Sequence, residues 1–206
     1  GTPYAGFHRA ATERAPGKGA LDIHNLVILS RLPIVASEQV RHDLVAPPRY
    51  QLATADPPAG APQPIEFDRP ILHATIALPN GRHLDVINLH LRAPLAAFVP
   101  GGKAGAFAWR SVAGWAEGFF LAAVKRAGQA LEARLLVDRV FDGNESALIA
   151  LCGDCNAEAR ETAMRLLAGS EEDTGNGALA GRVLHAVERS VPEDLRHTVI
   201  HNGRKV

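Results

Sequence analysis

Residues 67–91, FDRPILHATIALPNGRHLDVINLHL, decide the fold class. They contain two short apolar runs, Ile71 to Leu78 and Leu84 to Leu91, each bounded by turn residues in the manner of strands. Asn80-Gly81 lies between them as a hairpin signal, because both central positions of a type I′ turn favour positive φ. Asn25 to Leu29 and Ala147 to Leu151 are runs of the same kind. From Ala104 to Phe141 the period becomes helical: Val112, Trp115 and Phe119 fall on one stripe, and Val124, Ala127, Leu131 and Leu135 on another. Trp109, Trp115, Phe119 and Phe120 could be taken for a membrane-facing surface, but aromatic residues at helical spacing are more often core, and they are read as core. Gly114, Gly118 and Gly128 each weaken a helix by about 1 kcal/mol relative to alanine, so two helices or one interrupted helix are expected, ending at Asp142-Gly143. A shorter helix fits Ala157 to Leu167. Strands before and after a long helix, together with hairpins, predict an α/β (α+β) chain with a mixed sheet covered by helices.

The 206 residues fit one domain, 1–206, with a sizeable core. Six of the 14 prolines fall between Pro47 and Pro64, where missing N–H donors and fixed φ predict an irregular surface excursion. A second loop is expected over Ala168 to Gly181, and Asn202-Gly203 reads as another hairpin turn. Lys plus Arg and Asp plus Glu number 22 each, so the zero net charge disfavours a protein that coats nucleic acid and leaves a local phosphate site open. Hydrophobic residues at 47% and charged residues at 21% exclude dominant disorder. No apolar run approaches the roughly 20 residues of a membrane-spanning helix, so a soluble protein of undecided compartment is expected. The first residue is Gly1, and neither a basic segment nor an apolar signal core follows it, so a preceding segment is expected.

Three strand ends carry polar groups that a core would not select. His90 closes VINLHL, Asp154 and Asn156 follow the strand of ALIALCGDCNAE, and Arg69 stands at the entrance of RPILHATI. Singly, each has an ordinary explanation: a structural histidine, an Asx turn or helix cap, a solvated arginine. Together they supply what hydrolysis of a phosphate ester with a divalent ion requires. Carboxylate and amide oxygens suit Mg²⁺, a guanidinium neutralises phosphate oxygens, and an imidazole moves a proton near neutral pH.

The order NLVILSRLPI, RPILHATIALPNGRHLDVINLHL and ALIALCGDCNAE resembles the endonuclease/exonuclease/phosphatase superfamily, the DNase I-like phosphoesterases, over most of the chain. The resemblance implies a four-layer α/β/β/α sandwich of two mixed sheets and a catalytic site dependent on Mg²⁺ or Mn²⁺. By it, Asp154 and Asn156 match a Gly-Asp-x-Asn motif as catalytic and metal-binding residues. His90 matches a catalytic histidine, and Arg69, with Asn156, a substrate-binding group. Ser30, Arg31 and Pro33 match a structural segment, and Cys155 replaces the usual aromatic. The family's metal-binding glutamate and its final Asp and Asp-His pair have no counterpart here, so the chain reads as incomplete at both ends, with the remaining ligands outside it and little activity alone. The implied partner is a phosphate ester: nucleic acid, a nucleotide or a phospholipid, with the oligomeric state open.

Three other readings compete. Cys152-Gly-Asp-Cys155 has the spacing of a thioredoxin-like pair, although Asp154 between the sulfurs disfavours a thiolate. A zinc site would need two further ligands among nine scattered histidines. A non-catalytic phosphate- or nucleic-acid-binding module on the same fold is the third.

Overall fold

The computed structural model describes residues 3–15, 17–192, 195, 200–201 and 204–205. It is a mixed α+β chain that divides into two compact units, Gly1–Leu167 and Ala168–Val206. The first contains β1 (His8–Ala11), β2 (Val27–Ser30), β3 (Ile34–Val40), β4 (Arg49–Tyr50), β5 (Gln63–Pro64), β6 (Ile71–Ala77), β7 (His83–His90), α1 (Val112–Gly143), β8 (Leu148–Asp154) and most of α2 (Thr162–Ala168).

Its centre is a four-stranded sheet in the order β3-β6-β7-β8, antiparallel except for the parallel pair β7-β8. Strand alternation gives this sheet two distinct faces. Leu72, Ala74 and Ile76 on one face pack with Ala10, Leu26 and Ile28 of the antiparallel ribbon β1-β2, joined by Leu84 and Val86. On the other face His73 bonds Glu38 and Asp85, and Arg139 of α1 pairs with Glu38. The helix therefore covers the face opposite the ribbon.

The β6-β7 hairpin forms where the sequence places it, but with a different turn. Gly81 N–H donates to Leu78 O and Leu78 N–H to Arg82 O, with positive φ at Gly81 and not at Asn80. Pro79 fixes a negative φ, which suits the first central position of a type I turn and excludes type I′; Gly81 then closes the loop in the left-handed region.

Helix α1 is one uninterrupted rod beginning at Val112, with the Ser111 side chain accepting from Gly114 N–H as N-cap, rather than two helices starting near Ala104. The glycines are contact points. A Cβ at Gly118 would meet Ala97 O at 2.5 Å, and one at Gly128 the Phe67 ring at 2.7 Å. Close packing outweighs about 1 kcal/mol of propensity at each.

The expected core aromatics are also displaced: Trp115, Phe119 and Phe120 are exposed, while Glu117, Gln129 and Glu132 are buried. Each buried polar group satisfies main chain from a distant loop. Glu132 accepts from His42, Leu44 and Val45 N–H, and Gln129 donates to Arg69 O. Glu117 accepts from Tyr50 OH and from Ala53 and Thr54 N–H. The proline-rich excursion, irregular apart from the short β4-β5 ladder, is thereby pinned to the helix.

Residues 157–161 form turns before α2, so that helix starts later than Ala157. In the second unit the expected loop contains α3 (Glu171–Thr174), capped by Ser170, and a 3-10 turn over Gly177–Arg182. β9 (Ile200–His201) and β10 (Arg204–Lys205) pair antiparallel, while Asn202-Gly203 lies outside the described residues. No helix among the described residues is long and apolar enough to cross a membrane.

Candidate functional site

Topology brings the sequence-selected residues to one edge of the sheet. β6 and β7 are antiparallel, so the entrance of β6 lies beside the exit of β7; β8 runs parallel to β7, so its exit lies there too. His90 and Asp154 are direct register partners at these exits. They also share the parity of Val86, which faces the β1-β2 ribbon, so both side chains emerge where that ribbon meets the sheet edge.

His90 Nε2 lies 3.6 Å from Asp154 Oδ2. Asp154 Oδ1 accepts from Asn156 N–H at 2.9 Å, an Asx turn that holds Asn156 at φ 46°. Asn156 Nδ2 donates to Leu91 O at 3.0 Å, and Leu91 N–H donates to Asp154 O at 2.9 Å. The two strand ends are thus tied together through side chain and main chain. Gly153, at φ 127°, permits the approach, since a Cβ there would overlap the Leu89 carbonyl.

Arg69 is buried behind this junction. Its Nη1 donates to His90 O at 2.9 Å and to Leu91 O at 3.2 Å, while Nε has no hydrogen-bond partner. Burial lowers the guanidinium pKa, the neighbouring Arg92 lowers it further, and the carboxylates of Asp68 and Asp154 raise it. Arg92 and Lys125 both pair with Asp68. Burial would raise the Asp68 carboxyl, but these two cations hold it below its ordinary value.

His24 belongs to the same cluster, although nothing in its sequence context marks it. It precedes β2 at φ 57° and stands edge-on to His90, with ring centroids 5.6 Å apart. The His90 pKa is lowered, first by burial and then by Arg69 and His24, against the raising effect of Asp154. The balance disfavours the imidazolium form of His90.

Cys152 and Cys155 are free. Burial raises the Cys152 pKa, although the residue has exposed surface, and this works against a reactive thiolate. Among the described residues no three His, Cys, Asp or Glu side chains form a metal-holding group. A groove of about 440 Å³ between α1 and α2 shares no residue with the His90 cluster. Inside it Arg126 is engaged by Glu161 and by Arg92 O.

The chain matches no family model, no curated protein and no solved structure.

Proposed function

We propose that the His90-Asp154-Asn156-Arg69 cluster belongs to a divalent-metal-dependent phosphoesterase of the endonuclease/exonuclease/phosphatase superfamily, on a DNase I-like four-layer sandwich. The observation that supports this most is the 3.6 Å approach of His90 to Asp154, because it joins two motifs far apart in sequence. Oxygen donors suit a hard cation. Asp154 exposes 63% of its side chain, and the Asn156 amide nitrogen is held by Leu91 O, which leaves its carboxamide oxygen as the ligating atom. Mg²⁺ is usually bound by one or two carboxylates with substrate phosphate and water, a pattern that Asp154 and Asn156 can enter. When bound, the ion polarises the phosphoryl group and lowers the pKa of a coordinated water.

The residues of the chain have separable tasks. Asp154 supplies negative charge to the cation and sets the Asn156 turn. Arg69 fixes the exit of β7 and places its charge behind the His90-Asp154 pair. Burial, Arg69 and His24 disfavour the His90 imidazolium in the free protein. An anionic phosphate bound beside it raises its pKa, so the imidazole gains a proton as substrate arrives and can deliver it to the leaving oxygen.

The test, run on the full-length protein, is turnover of bis-p-nitrophenyl phosphate, plasmid DNA, nucleotides and phospholipids, with Mg²⁺, with Mn²⁺ and with chelator. Metal-dependent hydrolysis lost in Asp154→Ala supports the proposal. Metal-independent hydrolysis overturns it, and binding of phosphate ligands without turnover assigns the site to a binding module.

A further inference from the structure

The N-terminal end of α1 presents an apolar surface to solvent. Residues 95–110 are laid along the first turns of the helix. Ala97 N–H donates to Gly118 O at 2.8 Å, and a Cβ at either Gly102 or Gly118 would meet the Trp109 ring at 3.0 Å. This packing turns Ala97, Val99 and Trp109 inward. Leu95, Phe98 and Phe107 remain exposed, Phe107 by 98% at the tip of the Ala104–Ala108 turn. On the helix, Val112, Trp115 and Phe119 form the exposed stripe, with Trp115 and Phe119 stacked at 5.4 Å. Single exposed apolar residues need no explanation, but six at one end of an element, including a tryptophan and three phenylalanines, mark an interaction surface.

Charge identifies the occupant. Between residues 93 and 124 the sequence holds a single acid, Glu117, which is buried on the excursion backbone, and two cations, Lys103 and Arg110. Lys103 Nζ lies 4.1 Å from the Trp109 ring centroid, and Arg110 Nε donates to Lys103 O. Both cations belong to the segment that carries the apolar side chains; no exposed carboxylate of that segment opposes them, and the exposed acid that packs beside it from the excursion is Asp56, against Gly101.

We propose that this surface docks the protein on an anionic lipid bilayer. Phenylalanine and tryptophan projecting from a turn tip and a helix face insert at the headgroup boundary, while flanking Lys and Arg meet negative headgroups. The proposal goes beyond the phosphoesterase reading and does not depend on it. Only Arg92, Ala93 and Pro94 separate Leu95 from Leu91 at the candidate site.

The experiment is co-sedimentation with phosphatidylcholine vesicles, with and without about 30 mol% phosphatidylserine, alongside tryptophan emission. The protein should bind the anionic vesicles with a blue shift and bind the neutral ones at least tenfold more weakly. Phe107→Ala, which removes no contact within the fold, should lower the partition coefficient about tenfold. Lys103→Gln with Arg110→Gln should lower it about 25-fold, roughly fivefold for each charge. Absence of binding, or equal binding to both vesicles, overturns the proposal. So does a concentration-dependent dimer in sedimentation velocity that Phe107→Ala abolishes, which would give the surface to a second copy of the chain.

Discussion

Arg69 provides the sharpest separation between bracing a site and contacting its substrate. Sequence alone would have its guanidinium bind phosphate, so that its removal acts mainly through KM. The structure commits Nη1 to two carbonyls at the exit of β7, 2.9 and 3.2 Å away, in a residue only 7% exposed. Arg69→Met keeps an unbranched side chain of similar reach and removes every donor. Hydrogen bonds to charged groups are worth about 1.5–3 kcal/mol each. Relief from burying a cation, the same desolvation that lowers the Arg69 pKa, offsets part of the loss. The expected net destabilisation is about 2 kcal/mol, which at an m-value of roughly 2 kcal/mol/M lowers the urea midpoint by about 1 M. Both tryptophans, Trp109 and Trp115, lie within the first unit, so their fluorescence follows its unfolding. In the phosphodiester assay kcat should fall more than KM rises, because the strand end carrying His90 loses its brace. Arg69→Lys, keeping charge without the fork, should fall between. A Met variant within about 0.5 kcal/mol of the parent, with raised KM and unchanged kcat, would refute the bracing role and return Arg69 to direct substrate contact.

Glu117→Ala should cost about 2–4 kcal/mol in urea unfolding and expose residues 50–56 to early proteolysis, because four donors of the excursion lose their acceptor. Burial raises the Glu117 pKa, but hydrogen bonds from Thr54, Ala53 and Tyr50 outweigh it and leave the carboxyl below its ordinary value. Its stabilisation is therefore complete above about pH 4.5 and disappears as pH falls through the lower folded value, a trend that Glu117→Gln should lack. Gly153→Ala should lower stability by more than about 2 kcal/mol and weaken metal dependence, since φ 127° and the Leu89 carbonyl exclude a Cβ; unchanged unfolding and activity would remove Gly153 from the site argument. The His90 ring should titrate below about 6.5 in the free protein by NMR, and His24→Gln should move that midpoint upward. Because folding lowers this pKa, His90 subtracts stability as pH falls from about 6.5 toward the folded value. An unmoved midpoint in the His24 variant would detach His24 from the cluster.

The parts legible in sequence were those whose signals are local. β6, β7 and β8 were visible because short apolar runs end in turn residues, and their observed bounds differ by only a few positions. β3 was missed because Ser37, Glu38 and Gln39 interrupt its apolar pattern on a sheet edge where much of the strand is exposed. Helix α1 misled for a longer-range reason. Its inward positions include Glu117, Gln129 and Glu132, whose partners lie about 60 to 90 residues away in sequence. Its outward positions hold Trp115 and Phe119. A hydrophobicity window inverts such a helix, because the carboxylates satisfy loop N–H groups that no local stretch contains.

The same contrast governs the site. Arg69, His90, Asp154 and Asn156 were legible as strand-end residues, and pairing does the rest. An antiparallel hairpin puts the start of β6 beside the end of β7. A parallel neighbour requires a crossover, supplied here by the 32-residue α1, and that returns β8 in the direction of β7. Had the chain turned back after β7 by a second hairpin, Asp154 would lie at the opposite edge from His90. The long helix is thus what converts two separate motifs into neighbours 3.6 Å apart. His24 carries no such marker, because it reaches the cluster from the opposing ribbon through packing of Leu26 and Ile28 against the sheet. Strand ends can be read from sequence, but a residue delivered by one layer packing on another becomes visible only when the layers are assembled.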